Sequence, residues 1–131
     1  MYLRFVRPIK LNHMAARSGF FTAAYELRDQ NPDPLTSLRL EKHLAWFREN
    51  LHAPAKFTRS KSKGAWRVDD TKGLSWFKDT ATEMLAQAHD LAALLNECGH
   101  PIEVLRSDRI GYIVYADLHQ VIAEPFSDTP T

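Results

Sequence analysis

Cysteine is almost missing from this chain: Cys98 is the single one in 131 residues. That excludes an intramolecular disulfide. Cys98-Gly99-His100 offers two metal donors, short of the three or four a zinc site needs. The six histidines include no pair at helical i, i+4 spacing, so no metal is expected. Glycine is scarce as well, five residues in all. Gly64 and Gly73 stand alone, so there is no glycine-rich phosphate loop. There is no Gly-x-Ser-x-Gly elbow for a nucleophilic serine, and no cofactor is expected. Charge of one sign is not in excess either, with seventeen basic against sixteen acidic residues. Any electrostatic function must therefore come from local clustering. Long apolar runs are missing too. The opening MYLRFVRPIKLNH is interrupted by charge every few residues, unlike a signal peptide or a membrane span. A cytoplasmic protein with no membrane contact is the expectation.

What is present reads as one α+β domain over residues 1–131, its length and apolar fraction being those of an ordinary globular chain. Alternation of Leu3 and Phe5 with Arg4 and Val6 predicts a first strand over residues 2–7, stopped by Pro8. A helix follows from Gly19 to Arg28, with Ser18 as its N-cap and Phe20, Phe21, Ala24 and Leu27 on its buried side. Asn31-Pro32-Asp33-Pro34 punctuates the chain. Asp33 is placed to cap, and Pro34 to begin, a second helix running to Leu51 with Leu40, Leu44, Phe47 and Leu51 in one stripe. Residues 55–74 form the long irregular segment. A third helix spans Ser75–Cys98, its apolar side chains at helical spacing from Trp76 to Leu95. Thr80-Ala81-Thr82-Glu83 offers a second, later start. Gly99 and Pro101 stop it.

Three β-rich stretches close the chain: Ile102–Leu105, Gly111–Tyr115 and Val121–Ala123. The predicted order is β-α-α-(loop)-α-β-β-β, a two-layer domain with helices packed on an antiparallel C-terminal meander. These strands are apolar on both faces, whereas a sheet with one wet face alternates. Either a helix crosses the second face or another subunit covers it, which makes self-association, a homodimer through that face, an expectation of the sequence.

Two places can carry function. The first is a basic run, Lys56, Arg59, Lys61, Lys63 and Arg67, with no acid inside it and with Phe57 and Trp66 among the cations. If the run is extended, Phe57, Arg59, Lys61 and Lys63 point the same way. Such a strip suits phosphates and stacked bases, or an acidic protein partner. The composition equally describes a solvated segment, and Asp69 and Asp70 follow at once. The second place is the set Glu103, Arg106, Arg109, Tyr112, His119 and Glu124 on the last strands. A base, an acid and arginines are what metal-free phosphodiester cleavage requires. Ser107-Asp108-Arg109-Ile110-Gly111-Tyr112 with Asp117-Leu118-His119-Gln120 resembles the tail of the microbial guanyl-specific ribonucleases. That likeness covers fewer than twenty residues, and the arginine–histidine spacing is shorter than in that family. The expectation is a non-enzymatic binding module, with a small ribonuclease as the alternative.

Met1-Tyr2-Leu3-Arg4-Phe5-Val6, Lys72-Gly73-Leu74-Ser75-Trp76-Phe77-Lys78, Arg109-Ile110-Gly111-Tyr112-Ile113-Val114-Tyr115 and Ala123-Glu124-Pro125-Phe126 together resemble a family of short, uncharacterised bacterial proteins. The resemblance implies a single bacterial domain. It implies no activity and transfers no site.

Overall fold

The computed structural model describes residues 1–53 and 73–131. Its elements are β1 (Tyr2–Val6), α1 (Phe20–Asp29), α2 (Pro34–Asn50), β2 (Leu74–Lys78), α3 (Thr82–Glu97), β3 (Glu103–Ser107), β4 (Tyr112–Ala116) and β5 (Gln120–Glu124). The class is α+β: the described residues form three helices and one five-stranded sheet in the order β3-β1-β2-β5-β4. The chain divides into two compact units. One comprises Met1–Arg4, Ala53–Thr82 and Leu105–Thr131; the other comprises Phe5–His52 and Glu83–Val104.

The helical unit obeys local rules. At its start, the carboxylate of Asp33 accepts the Thr36 amide at 3.2 Å and the Thr36 hydroxyl at 2.6 Å, with Pro34 opening α2. These contacts satisfy donors a helix start leaves without partners. Asn31, at φ 50°, ends α1, and Pro32 forbids its continuation. At the end of α3, Gly99 has φ 82°. His100 N–H reaches back to Leu95 O at 2.8 Å and Gly99 N–H to Asn96 O at 3.3 Å, the paired bonds of a Schellman stop. The expected cap of α1, Ser18, is corrected. Gly19 occupies the N-cap without a side-chain bond. The Ser18 carbonyl instead accepts Arg7 N–H at 2.9 Å, and Gly19 bridges Val6, so this pair extends β1. Within the unit Phe5 stacks on Phe20 at 5.1 Å, and Phe21 and Trp46 set their rings against Phe47.

The sheet unit departs from the expected order. Leu74–Lys78, the end of the supposed loop and the first turn of the supposed third helix, is a central strand; α3 begins at Thr82, near the later of the two starts. Helical spacing and strand alternation compete here, and β5 decides between them. Leu74↔Ala123 and Trp76↔Val121 put their side chains on one face, while Ser75↔Ile122 and Phe77↔Gln120 put theirs on the other. The Ser75 hydroxyl donates to Gln120 Oε1 at 2.9 Å instead of capping a helix.

Of the three C-terminal strands, β4 and β5 are antiparallel neighbours, with an irregularity between Ile113 and Tyr115. β3 lies at the opposite edge, beside β1. Its sense follows from the N-terminal ammonium of Met1, which sits 3.1 Å from Asp108 and 3.3 Å from Asp79. The end of β3 thus meets the start of β1 and the end of β2, so β3 and β1 run antiparallel. Four strand steps of about 4.8 Å would separate the edges of a flat sheet by about 19 Å. The link from Ser107 to Tyr112 also climbs the length of a strand, yet its five residue steps reach only about 17 Å. The sheet is therefore strongly curled, and the link crosses its inner face. Ile110, 3 % exposed, packs there against Trp76, Val121 and Ala123, with Tyr2, Leu74 and Leu105 around them. Gly111 is required where the link arrives: its φ is 128°, and a Cβ would lie 2.0 Å from the Glu124 carbonyl oxygen. Ile110 thus covers the part of this face formed by Trp76, Val121 and Ala123, while Ile113, paired with Ala123, is exposed.

Candidate functional site

The last strands hold the candidate catalytic groups, and the sheet order decides which of them can meet. Glu103 and Arg106 are three residues apart on β3, so strand alternation sends them to opposite faces. Glu103 is exposed and takes an ion pair from Arg17 at 3.4 Å. Arg106 is exposed. His119 and Glu124 bracket β5; five residue steps place them about 17 Å apart, too far to act as an acid–base pair on one bond.

Arg109 is committed to the C-terminal segment. Its Nε donates to both oxygens of Asp128 at 3.1 Å. Its guanidinium lies over the Phe126 ring at 4.3 Å, and Tyr112 meets the same ring edge-on at 4.8 Å. The Thr129 hydroxyl, 7 % exposed, donates to the Arg109 carbonyl at 3.2 Å. Arginine, aromatic ring and carboxylate here make a latch that fastens residues 126–129 to the link before β4.

His119 is likewise held by its backbone. Its N–H donates to Asp117 Oδ1 at 2.9 Å, and its carbonyl accepts Lys78 N–H at 2.9 Å. Asp117 is the hub of the β4–β5 turn, also accepting the Gln120 amide at 3.0 Å, the Gln120 side chain at 3.1 Å and the Tyr115 hydroxyl at 2.9 Å. Burial alone would raise the Asp117 carboxyl, but these bonds outweigh it and hold the group below the usual carboxylate range. Burial, and then Asp117 as an acceptor, push the Tyr115 phenol up. Gln120, 3 % exposed, passes the network on to Ser75.

The basic strip, Lys56, Phe57, Arg59, Lys61, Lys63, Trp66 and Arg67, lies outside the described residues. Among the described residues no group of three or more His, Cys, Asp or Glu side chains can hold a metal ion. No helix among them is long and apolar enough to cross a membrane. Two polar groups that sequence reasoning passed over lie in the sheet unit. Arg4 is 8 % exposed on the face of β1 that Tyr2 shares, and Trp76 is fully buried with its indole Nε1 lacking a hydrogen-bond partner. Alternation sets Arg4 on the face of β1 opposite Leu3 and Phe5, so nothing in the sequence pattern marked it for burial.

No protein-family model, curated protein or solved structure matches this chain.

Proposed function

We infer that the protein is a non-enzymatic binding module that engages an anionic partner, with nucleic acid as the form most open to test, through the segment from Lys56 to Arg67. The observation that carries this reading is the dispersal of the reactive groups. His119 and Glu124 stand at opposite ends of one strand, Arg109 is bound to Asp128, and Glu103 and Arg106 take opposite faces of an edge strand. General acid–base cleavage needs such groups within hydrogen-bond reach of one reacting bond. The cations, by contrast, are concentrated in sequence, five of them with two aromatic residues and no acid among them. The protein works in the cytoplasm, and any homodimer belongs to the same reading.

The test is fluorescence anisotropy with short RNA and DNA strands at low salt. With five phosphate contacts, log affinity for a single strand should fall against log salt with a slope of about −3.5. Charge reversal at Lys61 and Lys63 should abolish binding. A wild type that does not bind, or a variant that binds unchanged, defeats the reading. RNA cleavage in chelator that disappears in His119→Ala would put the ribonuclease reading in its place.

A further inference from the structure

We propose that Arg109 holds a phosphate of a single-stranded nucleic acid, outside the Lys56–Arg67 segment, with a base of that strand stacked on Tyr112. The inference rests on the reading above and narrows its partner to single strands. It comes from the edge of the guanidinium that the latch leaves over. Asp128 takes the Nε–H, with both carboxylate oxygens 3.1 Å away. The two terminal nitrogens form no hydrogen bond among the described residues, and the side chain is 65 % exposed. Four of the five N–H donors of an arginine are thus open to an acceptor.

The fork is also ordered in advance. The Arg109 N–H donates to Ser107 Oγ at 3.1 Å, while the carbonyl accepts the Ser107 hydroxyl at 3.1 Å and the Thr129 hydroxyl at 3.2 Å. Phe126 lies under the guanidinium. Gripping an anion takes side-chain freedom from an exposed arginine, and here backbone, ring and Asp128 have already restricted it. The paired terminal nitrogens match a phosphate, which accepts two parallel N–H bonds. Asp108, next in the chain, is engaged by the Met1 ammonium at 3.1 Å. Asp128 offsets part of the arginine charge, so Arg109 supplements the basic segment and does not replace it. Tyr112 packs edge-on against Phe126 and is 36 % exposed. A base can stack on such a ring only when it has left a duplex.

Fluorescence anisotropy on the full chain reads the outcome. A sixth phosphate steepens the expected salt slope for a single strand from about −3.5 to about −4.2. Arg109→Gln should return the slope to about −3.5 and weaken the strand severalfold at low salt. Tyr112→Ala should weaken the strand about tenfold and leave a duplex of the same sequence unaffected. Asp128→Asn loosens the latch but spares the fork, so it should not weaken binding. If Arg109→Gln fails to fold, Arg109→Lys decides: the slope is kept, and loss of the fork lowers affinity about threefold. A wild type that does not bind defeats the parent reading and this proposal together. Binding that disappears on charge reversal at Lys61 and Lys63, yet ignores Arg109→Gln or Arg109→Lys, overturns this proposal alone. Equal losses in Arg109→Gln and Asp128→Asn overturn it too, since the arginine would then act only through the latch. An equal loss for strand and duplex in Tyr112→Ala does the same.

Discussion

The helical unit and the sheet unit satisfy their polar groups in different ways. In the helical unit, caps reach three to five residues along the chain, and the ion pairs Arg7–Glu26 and Arg39–Glu97 lie on the surface. Exposed pairs of this kind add little to stability. In the sheet unit, Gln120, Thr129 and Arg4 are buried. The partners of Gln120 and Thr129 include groups far away in sequence: Ser75 for Gln120 and Arg109 for Thr129. One unit is assembled from local instructions, the other from residues that meet only after the chain has returned on itself.

The strongest test of that contrast is Trp76→Ala. It empties the middle of the inner face and should cost about 3–5 kcal/mol in a denaturant titration. A loss below about 1 kcal/mol would mean that Trp76 does not organise the sheet unit. Next come the two glycines of positive φ. Gly111→Ala places a methyl group against the Glu124 backbone and should cost about 2–3 kcal/mol. Gly99→Ala meets nothing within 4 Å and should cost only about 1 kcal/mol, from its backbone conformation alone. Equal losses at the two sites would erase the distinction between crowded link and open cap.

Asp117→Asn lies between the two glycines, at about 1–2 kcal/mol for the weakened bonds at neutral pH. Its sign with pH follows from the lowered folded pKa of Asp117. The stability contributed by the carboxylate is present above its ordinary titration range and is lost as pH falls through the folded value. The gap between wild type and Asp117→Asn should therefore narrow in acid. A gap independent of pH would show that charge is not what holds the turn. The smallest effect expected is at the surface: Arg39→Gln should leave the unfolding midpoint unchanged within error.

The helical unit was largely legible in the sequence because its signals are local: Asp33-Pro34 at a helix start, Asn31-Pro32 and Gly99 at helix ends, and the stripe of Leu40, Leu44 and Phe47. The Ser18 cap failed through a contact with Arg7 across a loop that no local pattern reports. In the sheet unit the strands near residues 103–107, 112–116 and 120–124 were visible, but their neighbours were not. Ser75-Trp76-Phe77 fits a helix start and a strand equally well, and only pairing with Val121 and Ile122 separates the two. The reactive residues of the last strands formed a constellation on paper because short sequence distance was read as closeness. Along an extended strand the reverse holds: every added residue carries His119 and Glu124 further apart.

The pairing of Tyr2 with Lys78 also sets a timetable. Among the described residues, Tyr2 and Leu3 of β1 find their β2 partners only once residues 74–78 have left the ribosome, and β2 waits again for residues 120–123. Residues through 123 must be synthesised before β2 and β5 can pair, whereas α1 and α2 can form early. Such long-range pairing folds slowly. Until it is complete, the apolar side chains of β1 are open to holding chaperones and to other nascent chains.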